Sequence, residues 1–129
     1  ALIDAPYAGD NVAIGYRSMY SADSTNASGA NVTENTCVGR SSGYSMTENS
    51  HNTFVGSAAG YAVDSSTMAN ASYNVALGSY AMTYCGEVAN TVGIGYEALK
   101  GSSGNTTGDD NVAVGYRSMT ANTTGHCRP

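Results

Sequence analysis

Six short segments of this chain close on Gly after three residues, and five of them open on Asn. They are Asn11–Gly15, Asn35–Gly39, Asn52–Gly56, Asn74–Gly78, Thr91–Gly95 and Asn111–Gly115. In the fifth the Asn stands one place early, at Asn90. The closing glycines are separated by 24, 17, 22, 17 and 20 residues. Self-similarity on this scale marks a repeat architecture, and a chain built from such units has few other ways to fold. The six units fill the chain, which predicts one repeat domain over 1–129 with no linker and no second domain.

The three residues between Asn and Gly predict a short strand. Their first and third members are Val12/Ile14, Thr36/Val38, Thr53/Val55, Val75/Leu77, Val92/Ile94 and Val112/Val114. Nearly all are β-branched, which suits a pleated surface. Period-two alternation sets them on one face, expected to be the packed one. The middle members are Ala13, Cys37, Phe54, Ala76, Gly93 and Ala113, all small except Phe54. Small side chains there predict that the opposite face is closely covered as well. The repeated Asn has two expected uses. One is a left-handed turn conformation bonded to its own backbone. The other is an amide ladder from rung to rung.

After the glycine a second element repeats. Three units read Gly-Tyr-x-small-large: GYRSM at 15, GYEAL at 95 and GYRSM at 115. GSYAM at 78 is a variant, while GRSSGYSM and GSAAGYAV carry a second glycine and place their hydrophobe later, at Met46 and Val63. The third residue after each glycine is always small: Ser18, Ser42, Ala59, Ala81, Ala98 and Ser118. This predicts a tight bend or a single helical turn that docks a hydrophobe. The Asn/Ser/Thr/Gly loops that follow leave too few residues for a full helix. Loop length accounts for the variable spacing, as insertions on one side of a solenoid do.

The expected fold is therefore all-β: a β-roll-like β-solenoid of about six rungs, each a short strand, a tight bend or helical turn, and a variable loop. Six rungs make a rod of roughly 29 Å. No capping element is legible at either end, so the chain is expected to be a processed product or a segment of something longer. The last rung, DNVAVGYRSM, nearly copies the first, DNVAIGYRSM. Open strand edges recruit another chain, and matching ends point to head-to-tail stacking or to a longer repeat of 100 residues.

Composition narrows the partners. The net charge is −5, with 10 Asp and Glu against 5 Lys and Arg, which argues against nucleic acid. No apolar run reaches the roughly 18 residues of a membrane span. Cys37, Cys85 and Cys127 form no CxxC pair, which argues against zinc. An odd count suggests one disulfide and one free or intermolecular thiol, with Cys127 the candidate for a bond to another subunit. The alternative is three buried thiols acting as small hydrophobes.

The units NVAIGYRSM, NTFVGSAAGY and NVALGSYAM resemble the N-[TV]-A-[IL]-G-Y-x-A-[LM] repeats of phage tail fibres and large bacterial surface adhesins. More distantly they are similar to the head repeats of trimeric autotransporter adhesins. The resemblance covers nearly the whole chain, although repeat lengths vary more here. It implies an extracellular β-solenoid fibre, often trimeric, that holds a tip away from a particle or cell.

Catalytic chemistry has little support, and no cofactor or metal is expected. His51 and His126 have no partner pattern, and the carboxylates are scattered. Asp10 and Asp109–Asp110 precede strands, where Asp is ordinary turn chemistry, with a calcium site the lesser reading. Five N-x-S/T sequons, at Asn26, Asn31, Asn70, Asn105 and Asn122, are candidate glycosylation sites in loops. Tyr16, Tyr96 and Tyr116 share one repeat position and are expected to stack as a ladder, or, if exposed, to form a sugar-binding strip. The function expected is a structural subunit or segment of an extracellular filament, with copies of itself as partners. The alternative is a phage or bacterial adhesin module that binds surface glycans. Ice binding needs regular Thr rows on an exposed face, which this sequence lacks.

Overall fold

The computed structural model describes residues 9–22, 32–61, 71–86, 88–101 and 108–120. Six three-residue strands form one sheet: β1 (Val12–Ile14), β2 (Thr36–Val38), β3 (Thr53–Val55), β4 (Val75–Leu77), β5 (Val92–Ile94) and β6 (Val112–Val114). They lie in sequence order, and each pairs in parallel with the next. Register is strict, with Ala13 opposite Cys37, Cys37 opposite Phe54 and Phe54 opposite Ala76. The chain is a β-solenoid. No helix occurs among the described residues, so the element after the glycine is a bend and not a helical turn.

The bend is built from alternating left-handed residues. The second residue after each rung glycine (Arg17, Ser41, Ala58, Tyr80, Glu97, Arg117) has φ between 52° and 60°. The fourth (Met19, Gly43, Gly60, Met82, Leu99, Met119) lies between 50° and 62°. Each left-handed non-glycine costs about 1–2 kcal/mol, and the stack offsets that cost by bonding the bend from rung to rung. Ala58 N–H donates to the Arg40 carbonyl at 2.8 Å, and Gly43 N–H to the Ala59 carbonyl at 2.9 Å. The small third residue adds a bond where it is Ser. Ser18 and Ser42 Oγ donate to the carbonyls of Cys37 and Phe54, each at 2.9 Å.

The core corrects the expected facing of the strands. The middle residues point inward: Cys37, Phe54, Ala76 and Ala113 are buried. The β-branched first and third positions face out, with Val12, Ile14, Val112 and Val114 between 46% and 64% exposed. A solenoid rung encloses a space about one side chain wide, so small residues fill it and the bulky pairs are left outside. Within a rung, middle residue and bend residue share that space. Ala13 is matched with Met19, Ala76 with Met82, Gly93 with Leu99 and Ala113 with Met119. Where the middle residue is larger, the bend carries glycine instead: Cys37 with Gly43 and Phe54 with Gly60. A Cβ on Gly43 would sit 2.5 Å from Cys37 Sγ, and one on Gly60 would run into the Phe54 ring. That volume balance is the physical reason for the second glycine in units two and three.

The rung glycines are needed for two reasons. Their φ values lie between 125° and 138°, outside the range of L side chains. A Cβ on Gly15 or Gly78 would also fall 2.5 Å from the carbonyl oxygen of the next rung's glycine. At Gly115 a Cβ would meet none of the described residues within 4 Å.

Candidate functional site

Four features run the length of the stack. The first is an amide ladder at the residue before each strand, half-buried at Asn11 and buried in the other rungs. Oδ1 of Asn11, Asn35, Asn52 and Asn74 accepts the backbone N–H of Asn35, Asn52, Asn74 and Thr91 at 2.9–3.0 Å. The Nδ2 groups of Asn11, Asn35, Asn52 and Asn74 donate to the carbonyls of Val32, Asn49, Ala71 and Val88 at 2.7–2.9 Å. Each side chain thus ties its own rung to two points on the next. The fifth ladder place belongs to Thr91, not to Asn90. Thr91 Oγ1 accepts the Asn111 N–H at 3.4 Å. Asn90 holds the left-handed corner with φ 55°, as Asp10, Glu34, His51, Tyr73 and Asp110 do in the other rungs. Of the two uses expected of the repeated Asn, the structure assigns it the ladder and gives the left-handed turn to the residue before it.

The second feature is the outward sheet face, two columns of Val, Ile, Leu and Thr that run across all six strands. It is apolar in ten of twelve places (six strands, two outward positions each), the exceptions being Thr36 and Thr53.

The third is the bend side, where the tyrosines gather. Tyr96 and Tyr116 stack at 5.6 Å and 11°, and Tyr80 meets Tyr96 edge-on at 6.2 Å. Tyr16 does not join them. Arg40, Ser57 and Ser79 hold its repeat position in the intervening rungs, and Tyr16 instead lies under Arg17 at 5.2 Å. A second aromatic column, not anticipated, runs through Tyr20, Tyr44 and Tyr61, stacked at 5.4 and 5.0 Å, to Tyr84 edge-on at 6.2 Å. Its sequence signal was available: a Tyr five residues after Gly15, Gly39 and Gly56, and six after Gly78. A cavity of about 260 Å³ opens on this side, between Arg17, Arg40, Tyr44, Tyr61 and Tyr80.

The fourth is a set of charged contacts. Glu97 receives Lys100 Nζ at 2.6 Å and, from the next rung, Arg117 Nε at 2.9 Å. The Lys100 bond, with both cations nearby, holds the Glu97 carboxyl below its ordinary value of 4.5 and raises Lys100 above 10.5. His51 pairs with Glu34 and stacks on Tyr73 at 4.7 Å.

Cys37 and Cys85 are both buried. Burial pushes Cys37 up to about 12, with Met46 Sδ at 3.7 Å. Cys85 Sγ donates to the Leu99 carbonyl at 2.9 Å. No group of three metal-ligating side chains occurs among the described residues, and Asp109 Oδ1 accepts the Ala89 N–H at 2.9 Å. No described helix is long and apolar enough to cross a membrane. Asn26, Asn31, Asn70, Asn105, Asn122, Val63, His126 and Cys127 lie outside the described residues.

Neither a family model, nor a curated protein, nor a solved structure matches the chain.

Proposed function

We propose that this chain is a structural segment of an extracellular filament that assembles by stacking rung on rung with copies of itself. One observation carries the reading. Each of the first five rung glycines has the carbonyl of the next rung's glycine against the place of its absent Cβ, whereas at Gly115 no described residue approaches that place. The sixth rung therefore offers to a following rung the surface that the inner rungs offer to one another. The rung best matched to it in sequence is the first, DNVAIGYRSM. Such a contact is heterologous and does not close, so it propagates.

The outward apolar face supports sideways packing as well, and its size sets the order of events. Six rungs at ~4.8 Å by three residues at ~3.3 Å give roughly 290 Å². A stable interface needs about 800 Å² per partner. One copy is too short to pair sideways, while three stacked end to end present enough. Axial growth comes first, and bundling or trimer formation follows. Electron microscopy and light scattering of purified chain over a concentration series test this. Filaments, or oligomers that grow with concentration, are expected; a monomer throughout would overturn the reading.

A second reading, a module that binds surface glycans, is favoured by the tyrosine-lined cavity on the bend. Aromatic faces and hydroxyls side by side suit the two sides of a sugar ring.

A further inference from the structure

We infer that the cavity on the bend side is a site for one carboxylate-bearing sugar residue, held by Arg17 and Arg40. The inference rests on the glycan-binding reading and not on the filament reading.

The cavity follows from the side chains on one column. The second residue after the rung glycine is Arg17, Ser41, Ala58 and Tyr80 in the first four rungs, all left-handed with φ between 54° and 60°. Ser41 and Ala58 are small and stand between two long side chains, so the column is hollow at its centre. Tyr44 and Tyr61, stacked at 5.0 Å, wall one flank. At about 260 Å³ the space falls just below the roughly 300–1,000 Å³ of drug-sized sites, which suits a single pyranose and excludes a long segment of chain.

The charge is specific. The chain is acidic, yet two of its 5 basic residues line this one cavity, and among the described residues no carboxylate does. The described carboxylates stand before the strands, at Asp10, Glu34, Glu48, Asp109 and Asp110, except Glu97, which is already paired. Among the described residues neither Arg17 nor Arg40 has an ion pair. Arg17 is held in place by the rings of Tyr16 and Tyr20, each 5.2 Å from its guanidinium carbon, so little freedom is lost on binding. A guanidinium presents a fork of N–H donors that matches a carboxylate. The phenol faces take the C–H face of the ring, and their hydroxyls reach its alcohols.

The test titrates the isotopically labelled full chain with trigalacturonate and with sialyllactose, each beside its carboxyl methyl ester, and follows the backbone signals of Ser41, Ala58 and Tyr61. Saturable shifts at these residues are expected with at least one acid, and at least tenfold weaker binding of its ester. Arg40→Gln, at an exposed position, is expected to weaken binding of the acid and to narrow the acid–ester difference, with Arg17 holding the remainder. Tyr61→Ala is expected to weaken acid and ester alike, with circular dichroism showing that each variant stays folded. Equal binding of acid and ester, unmoved by Arg40→Gln, overturns the carboxylate assignment while the glycan reading stands. No saturable shift with any of the four probes overturns both.

Discussion

At the scale of single residues, the stack is held by side chains that serve two rungs at once. Asn52 is fully buried, and its Oδ1 accepts the Asn74 N–H while its Nδ2 donates to the Ala71 carbonyl, each at 2.9 Å. Asn52→Ala leaves both backbone groups buried and unpaired, and is expected to lower unfolding free energy by about 3 kcal/mol in urea titrations. Asn11, half-buried at the first rung, holds the same kinds of bond where water can replace them. Asn11→Ala is expected to cost about 1 kcal/mol. Equal losses at the two places would show that burial does not set the ladder's worth. The thiols give a second check at this scale. Only the thiolate reacts readily, and burial raises Cys37 to about 12. In Cys127→Ser, Cys37 and Cys85 are expected to resist a thiol reagent at pH 8 while folded and both to react in denaturant. The six-fold Asn made the ladder legible in sequence. Its fifth place was not, because Asn90 precedes Thr91, and either residue can supply the oxygen that accepts the next N–H.

At the scale of the element, each rung is a strand and a bend that divide one fixed volume. Phe54 takes most of the space in its rung and Gly60 yields it; in the next rung Ala76 yields and Met82 fills. Phe54→Ala alone leaves a void and is expected to cost about 3–5 kcal/mol. Gly60→Met alone drives a side chain into the Phe54 ring and costs at least ~2 kcal/mol. The double variant rewrites this rung in the pattern of Ala76 and Met82. It is expected to fall within ~2 kcal/mol of the parent, the residue being the left-handed Met backbone, which Met82 already tolerates at φ 51°. Additive losses in a double-mutant cycle by urea unfolding would refute the shared volume. The strand triplets themselves were readable, since Asn and Gly frame each one. Their facing was not. Val and Ile favour a pleated strand whether its outer face is packed or bare, and only the width of the enclosed space decides that Ala13 goes in and Ile14 stays out. The second tyrosine column was missed for a different reason. Its members follow the glycine at a spacing that slips by one at Tyr84, so a search keyed to the Gly-Tyr pair passes over it.

At the scale of the whole molecule, the six rungs differ in how firmly they are joined. Between β5 and β6 the ladder bond from Asn111 to Thr91 is 3.4 Å, longer than the 2.9–3.0 Å of the others, and Thr91 has no amide to reach the following loop. The outside compensates: Arg117 bonds Glu97 across this junction, and Tyr116 stacks on Tyr96. The Glu97 carboxyl titrates lower in the folded chain than in the unfolded one, chiefly through Lys100 and then through both cations. Its stabilising effect is therefore complete above the ordinary value of 4.5 and is lost as pH falls through the lower folded value. Lys100, shifted upward, loses its part only above 10.5. Melting temperature against pH is expected to fall more steeply below pH 4.5 for the parent than for Glu97→Gln; parallel curves would show that the pair contributes nothing. The rung-to-rung bonds run along the stack, so a pull on the rod's ends strains every bond of one junction together, and the weakest junction fixes the breaking force. With Glu97 protonated and its clamp lost, that junction is the one between β5 and β6. Because the backbone runs on through that junction, acid would loosen the rod there without severing it, and a filament of such units would stretch by one opened rung in every copy before its copies part.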